Sequence, residues 1–162
     1  MQPSRDKQLV VPLGLRKEFL VKRILMLLCC AMSAVALAGP LDERKAAAHL
    51  QAIAAGNVDA LMADYADDAY VDWVGGPLEG RYRGKLEIRQ MWTKFVVSND
   101  GQPRPVRVGK LSARANPKGV SLDAEAEYGG KTPVKAWHVL VYRDGVLTTE
   151  IWQIAPAIKV GN

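Results

Sequence analysis

Cysteine is nearly missing from this 162-residue chain, and its two copies, Cys29 and Cys30, both fall within the first 38 residues. Without that segment the chain has no thiol, which excludes disulfides and thiolate-held metal. Histidine is almost as scarce: His49 and His138 are the only two. No set of His and Asp at metal-ligand spacing accompanies them, and there is no Gly-rich phosphate loop and no nucleophile elbow. No cofactor and no metal is therefore expected. Internal repeats, low-complexity tracts and interdomain linkers are also lacking. The one long apolar run, fifteen residues over 24–38, is shorter than the ~20 residues of a membrane-spanning helix.

That run reads as the core of a secretory signal. Lys22 and Arg23 precede it, and it ends in Ala-Leu-Ala at residues 36–38, before Gly39 and Pro40. Basic region, apolar region and small-residue cleavage site stand in the order that export requires, with the cut expected after Ala38. A lipoprotein signal would need a small residue before the cysteine, whereas Leu28 and Cys29 hold those places. Residues 1–20 are either an extended basic region or an over-long gene start, with Val21 as the alternative first residue. The expected location is periplasmic or secreted, with no stable membrane anchor after cleavage.

Cleavage changes the electrostatics. Residues 1–38 hold six of the 22 Lys and Arg but two of the 17 Asp and Glu, leaving 16 basic against 15 acidic residues. The basic balance belongs largely to the export segment, so nucleic acid is not an expected partner. Residues 39–162 have the size of one domain, enough to bury a core unaided.

Apolar periodicity predicts a helix over 41–55, with Ala46, His49, Leu50 and Ile53 on one face, and a second over 58–65 capped by Asn57. Residues 69–74 alternate as a strand, with Ala69, Val71 and Trp73 on one side and Tyr70, Asp72 and Val74 on the other. A third helix is predicted over 85–97, burying Leu86, Ile88, Met91, Trp92 and Phe95. Four strand-like segments follow, 106–115, 120–128, 132–142 and 146–154, with Gly129-Gly130 and Asp144-Gly145 as hairpin turns. The expected class is α+β: three N-terminal helices and then an antiparallel meander whose curled sheet wraps them.

This order, with Ala-Ala-Gly-Asn-Val-Asp-Ala-Leu at 54–61, Tyr-Ala-Asp-Asp-Ala at 65–69, Gly80 and Gly84 ahead of Leu86, and the Tyr-Arg-Asp-Gly turn at 142–145, resembles the nuclear transport factor 2-like superfamily, in its SnoaL-like and ketosteroid isomerase-like branch. The resemblance covers roughly residues 43–154 and implies a cone-shaped α+β barrel, with the three N-terminal helices packed in the concave face of a curved antiparallel β-sheet and one apolar pocket between helices and sheet. It places the isomerase branch's oxyanion-hole tyrosine at His49, its general-base aspartate at Trp73 beside Asp72, two aromatic pocket positions at Tyr65 and Trp92, and its protonated carboxylic acid at Trp137 or His138. This chain thus lacks the branch's base and acid at their own positions, which argues against steroid isomerase chemistry.

The expected pocket consists of His49, Tyr65, Trp73, Met91, Trp92, Trp137, His138 and Trp152, and suits a small apolar or aromatic ligand. Three readings stay open at this point. One is binding alone; another is cofactor-independent proton transfer with His49 as acid/base, Tyr65 or Trp92 as donor and Asp72 as fallback base; the third is an interaction module whose own tryptophans fill the cavity. Asp72 outside the pocket, solvated or ion-paired, is the preferred alternative for that residue. The alternation of Glu150 with Trp152 and Ile154 makes it either a pocket carboxylate or a cross-strand partner for Lys135 or Arg143. The strand around His138 is apolar on both faces, which fits a homodimer through the sheet. N-terminal sequencing of protein recovered from the periplasm should begin at Gly39; a retained segment upstream of it would contradict the export reading.

Overall fold

The structure is a computed structural model that describes residues 38–161, with side chains from Glu43 onward. The export signal expected over residues 1–38 lies outside the described residues apart from Ala38, where the first helix begins. The elements are α1 (Ala38–Ala55), α2 (Val58–Asp64), β1 (Tyr65–Val74), β2 (Gly80–Arg83), α3 (Gly84–Val97), β3 (Val106–Asn116), β4 (Gly119–Tyr128), β5 (Val134–Arg143) and β6 (Val146–Ile154). Among the described residues no helix is long and apolar enough to cross a membrane.

Each helix buries the stripe that its sequence spacing sets out. Ala46, His49, Leu50 and Ile53 of α1 are all buried. Asn57 caps α2 through Oδ1, which accepts the Ala60 N–H at 3.0 Å, satisfying one of the donors that a helix start leaves open. In α3 the buried face is Ile88, Met91, Trp92 and Phe95, but Leu86 is 71% exposed. Leu86 falls two residues before Ile88, about half a turn around the helix, so it cannot share that face.

The sheet is curved and open, with strand order β2-β1-β6-β5-β4-β3. It is mixed, where antiparallel pairing throughout was expected: β1 runs parallel to β6, joining the first described strand to the last. β2, a short edge strand antiparallel to β1, had no counterpart in the sequence reading, because four residues, three of them Gly or Arg, carry no apolar alternation.

Alternation decides which side chains face the helices. On β1 these are Ala69, Val71 and Trp73; on β5 they are Ala136, His138, Leu140 and Tyr142. On β6 the alternation is broken. Val141 pairs with Thr149 but Tyr142 pairs with Leu147, so Thr148 is an extra residue, and its hydroxyl donates to the Val141 carbonyl at 3.1 Å. This bulge lets Leu147 and Glu150, three residues apart, both point inward. Without it Glu150 would face outward.

Candidate functional site

Glu150 is completely buried in the middle of the sheet, between Val71 on β1 and Leu140 on β5. A carboxylate there needs a countercharge and hydrogen-bond donors. Its Oε2 accepts from the Tyr65 hydroxyl and from His49 Nε2 at 3.2 Å. Tyr65 in turn accepts from the Trp92 indole N–H at 3.0 Å. On its other edge, His49 Nδ1 lies 3.4 Å from Asp64 Oδ2, and the Tyr142 hydroxyl donates to that same oxygen at 2.7 Å. Glu150 Oε1 lies 3.5 Å from His138 Nδ1, and His138 Nε2 is 3.2 Å from the Tyr128 hydroxyl. The network thus crosses the core from α2 through α1 and β6 to β5 and β4.

The two histidines hold opposite charge states. Burial alone would pull the pKa of His49 down, but the charge of Glu150 and the contact from Asp64 reverse this and raise it from 6.5 to about 9. Burial likewise pushes Glu150 up, and the cation of His49 with the contact from His138 overcomes it, bringing Glu150 down to about 2. At neutral pH the pair is an imidazolium and a carboxylate. For His138, burial outweighs the attraction of Glu150 and its pKa is lowered, so this ring is neutral. Its Nδ1 faces the Glu150 carboxylate, which can only accept, so the ring proton belongs on Nδ1 and Nε2 accepts from the Tyr128 hydroxyl. Asp64 is lowered although burial opposes it, because the His49 imidazolium lies against it and the Tyr142 hydroxyl donates to it.

An aromatic cluster fills the space beside this network. Trp73 stacks on Trp152 at 4.6 Å, and Trp92 and Phe95 meet Trp152 edge-on at 5.2 and 5.3 Å. Tyr128 also stacks on Trp152, at 5.2 Å. Trp92 and Trp152 have no exposed surface.

The residues expected to line one pocket are therefore distributed differently. His49, Tyr65, Trp73, Met91, Trp92, His138 and Trp152 do come together, as a packed centre and not as the wall of a single open cavity. Trp137 stands apart from them, half-buried on the opposite face of β5 with Val139 and Val141, because neighbours on a strand point to opposite sides. Asp72 is also outside the centre, in a two-pronged ion pair with Arg81 whose N–O distances are both 2.6 Å. It is a surface ion pair, with Arg81 also lying over the Tyr70 ring. Glu150 takes neither Lys135 nor Arg143 as partner, since those groups face away from the helices.

Among the described residues, two cavities flank the packed centre. One cavity, of about 230 Å³, lies between α1 and α2 and is lined by Lys45, Ala48, His49, Ala52, Ala60, Ala63 and Asp64. The other, of about 250 Å³, is bounded on its apolar side by Trp73, Pro77, Leu78, Phe95, Val134 and Ile154. The Trp73 indole N–H donates to the Gly75 carbonyl at 2.9 Å and the Tyr82 hydroxyl to the Leu78 carbonyl at 2.7 Å, which fixes the loop over that cavity. Among the described residues no His, Asp and Glu side chains are grouped as metal ligands would be.

A family model for the SnoaL-like domain matches residues 46–149. The chain belongs to the SnoaL-like domain family. Solved structures agree on the fold. A protein of unknown function with a cystatin-like fold from Nostoc punctiforme is similar at a TM-score of 0.61 and 15% identity, covering 76% of this chain and 98% of its own. A nuclear transport factor 2-like protein of unknown function from Pseudomonas putida is similar at 0.58 and 17% identity, covering 68% and 82%. A ketosteroid isomerase-like protein from Erwinia carotovora atroseptica is similar at 0.54 and 18% identity, covering 71% and 95%. No curated protein sequence matches.

The SnoaL-like core should carry a pH signature of its buried pair. His49 holds its proton more tightly folded than unfolded, so its contribution is complete below pH 6.5 and lost as pH rises through about 9. Glu150 acts in the opposite sense, contributing fully above pH 4.5 and losing that contribution as pH falls towards 2. Glu150→Gln leaves the His49 cation without its buried partner and should cost about 3–5 kcal/mol at pH 6.5. In thermal melts it should also lose most of the parent's decline in Tm between pH 6.5 and 9; an unchanged alkaline limb would contradict the assignment.

Proposed function

We propose that this SnoaL-like domain is an exported binding protein for a small apolar or ring-bearing molecule, held in the cavity bounded by Trp73, Leu78, Phe95 and Ile154. The observation that carries this reading is the cavity itself: about 250 Å³ with a mainly apolar wall that includes the edge of the tryptophan cluster. Its volume lies just under the roughly 300–1,000 Å³ of drug-sized sites, so the ligand is a small one. Aromatic walls offer a flat ring a large contact area at little cost in side-chain freedom.

Binding is favoured over proton transfer by the state of His49. As an imidazolium facing carboxylates on both edges, it has no lone pair to take a proton at neutral pH. Asp72, the fallback base, is engaged by Arg81. Export is supported by the order of basic, apolar and small residues before Gly39. A second copy of the chain is the proposed partner for the outer sheet face, where Trp137, Val139, Val141 and Ile151 are only half-buried.

Tryptophan fluorescence tests the cavity, because Trp73 borders it. A panel of small aromatic compounds should include members that shift the emission saturably. Leu78→Trp, which fills the cavity, should weaken those members at least tenfold with the melting profile kept. Equal binding to the filled variant would overturn the reading.

A further inference from the structure

Arg104 is a buried cation with no carboxylate. It sits between Pro103 and Pro105 in the loop joining α3 to β3 and is only 4% exposed. Its backbone N–H is tied to the Ala54 carbonyl at 2.6 Å. Nη1 donates to the carbonyls of Gly129 and Thr132, both at 2.9 Å, and Nη2 to the Ser98 hydroxyl at 3.1 Å. The guanidinium lies 4.9 Å above the Phe95 ring. Every one of these partners is neutral. A guanidinium carries five N–H donors, and three are used here, leaving one on Nη2 and the buried, unpartnered Nε–H.

Four other arginines take carboxylates: Arg81 pairs with Asp72, Arg89 with Asp59, Arg107 with Glu127 and Arg114 with Asp123. Those four are on the surface, where an ion pair matters least. Arg104 is the one in the interior, where an uncompensated charge is most costly, and its only shift is the downward one that burial causes.

Arg104 also borders the cavity proposed above as the binding site. The lining is mixed: Trp73, Pro77, Leu78, Phe95, Val134 and Ile154 supply apolar surface, while Lys94, Ser98, Arg104 and Thr132 supply cationic and hydroxyl groups. No acidic side chain lines the space.

We propose that the cavity selects a small carboxylate with an apolar or aromatic body, the body against Trp73 and Ile154 and the carboxylate supplying the countercharge that Arg104 lacks. A planar carboxylate matches a guanidinium edge in two parallel hydrogen bonds, and the two donors left over, on Nε and Nη2, belong to one such edge. The inference rests on the cavity being the binding site.

The test compares 3-phenylpropanoate with its neutral amide, 3-phenylpropanamide, by calorimetric titration of the full chain. The acid should bind the parent at least tenfold more tightly than the amide. Arg104→Lys, which keeps the charge, should retain part of that preference, and Arg104→Gln should abolish it while leaving the weak binding of the amide. Should Arg104→Gln fail to fold, the acid-to-amide ratio on the parent still decides. Equal binding of acid and amide to the parent, lost in Leu78→Trp, would overturn the role of Arg104 and leave the cavity reading standing. Absence of binding by either probe at millimolar concentration, or binding that survives Leu78→Trp, would overturn both.

Discussion

A carboxylate sealed from water must find its countercharge inside the protein, and in this domain Glu150 finds it in His49. Much of the architecture follows from meeting that need. The α1 helix presents His49 on its buried stripe with Leu50 and Ile53 around it, and the Thr148 bulge turns Glu150 toward the helices. Tyr65, at the junction of α2 and β1, adds a donor, and Trp92 on α3 orients the Tyr65 hydroxyl. Elements far apart in sequence are thus joined through one anion. Removing either partner would leave the other charged and buried, which is far worse than never having placed the pair there.

Satisfying Glu150 from within has a consequence for function. The place where the family resemblance puts one pocket is occupied by the ion pair and by Trp73, Trp92, Phe95, Tyr128 and Trp152 packed against each other. Open space is displaced to the flanks, and of the two flanking cavities the one past Trp73 combines an aromatic wall with an interior cation. The contrast between the two interior cations is informative. His49 is balanced by Glu150 and Asp64, and so serves the fold, whereas Arg104 is balanced by nothing charged among the described residues.

Local patterns were readable in the chain; long-range partnerships were not. The three-to-four spacing of Ala46, His49, Leu50 and Ile53 identified the buried face of α1, and strict alternation put Val71 and Trp73 inward and Asp72 outward. Asn57 announced its cap. The face of β5 that His138 takes was undecidable because both faces are apolar, and the structure turns it inward with Leu140 and Tyr142. Glu150 was recognisable as alternating with Trp152, but its partner lies 101 residues away, and periodicity carries no information about pairing at that distance. The parallel β1–β6 contact and the Thr148 bulge belong to the same class of tertiary decisions. Leu86 is apolar enough to suggest burial, but its angular position on α3 puts it in solvent. Arg104 had one faint signal, an arginine held between two prolines where the backbone is stiff, in a stretch otherwise rich in turn-forming residues.

The charge state of His49 is the centre of the buried network, and it can be observed directly by following the imidazole resonances of His49 in a pH titration of the intact domain by NMR. Both ring nitrogens should remain protonated through neutral pH, with the transition at about 9, while His138 stays neutral down into the acid range. A His49 that titrates near 6.5 or below, or that is already neutral at pH 7, would contradict the buried ion pair on which the fold and the filled centre depend.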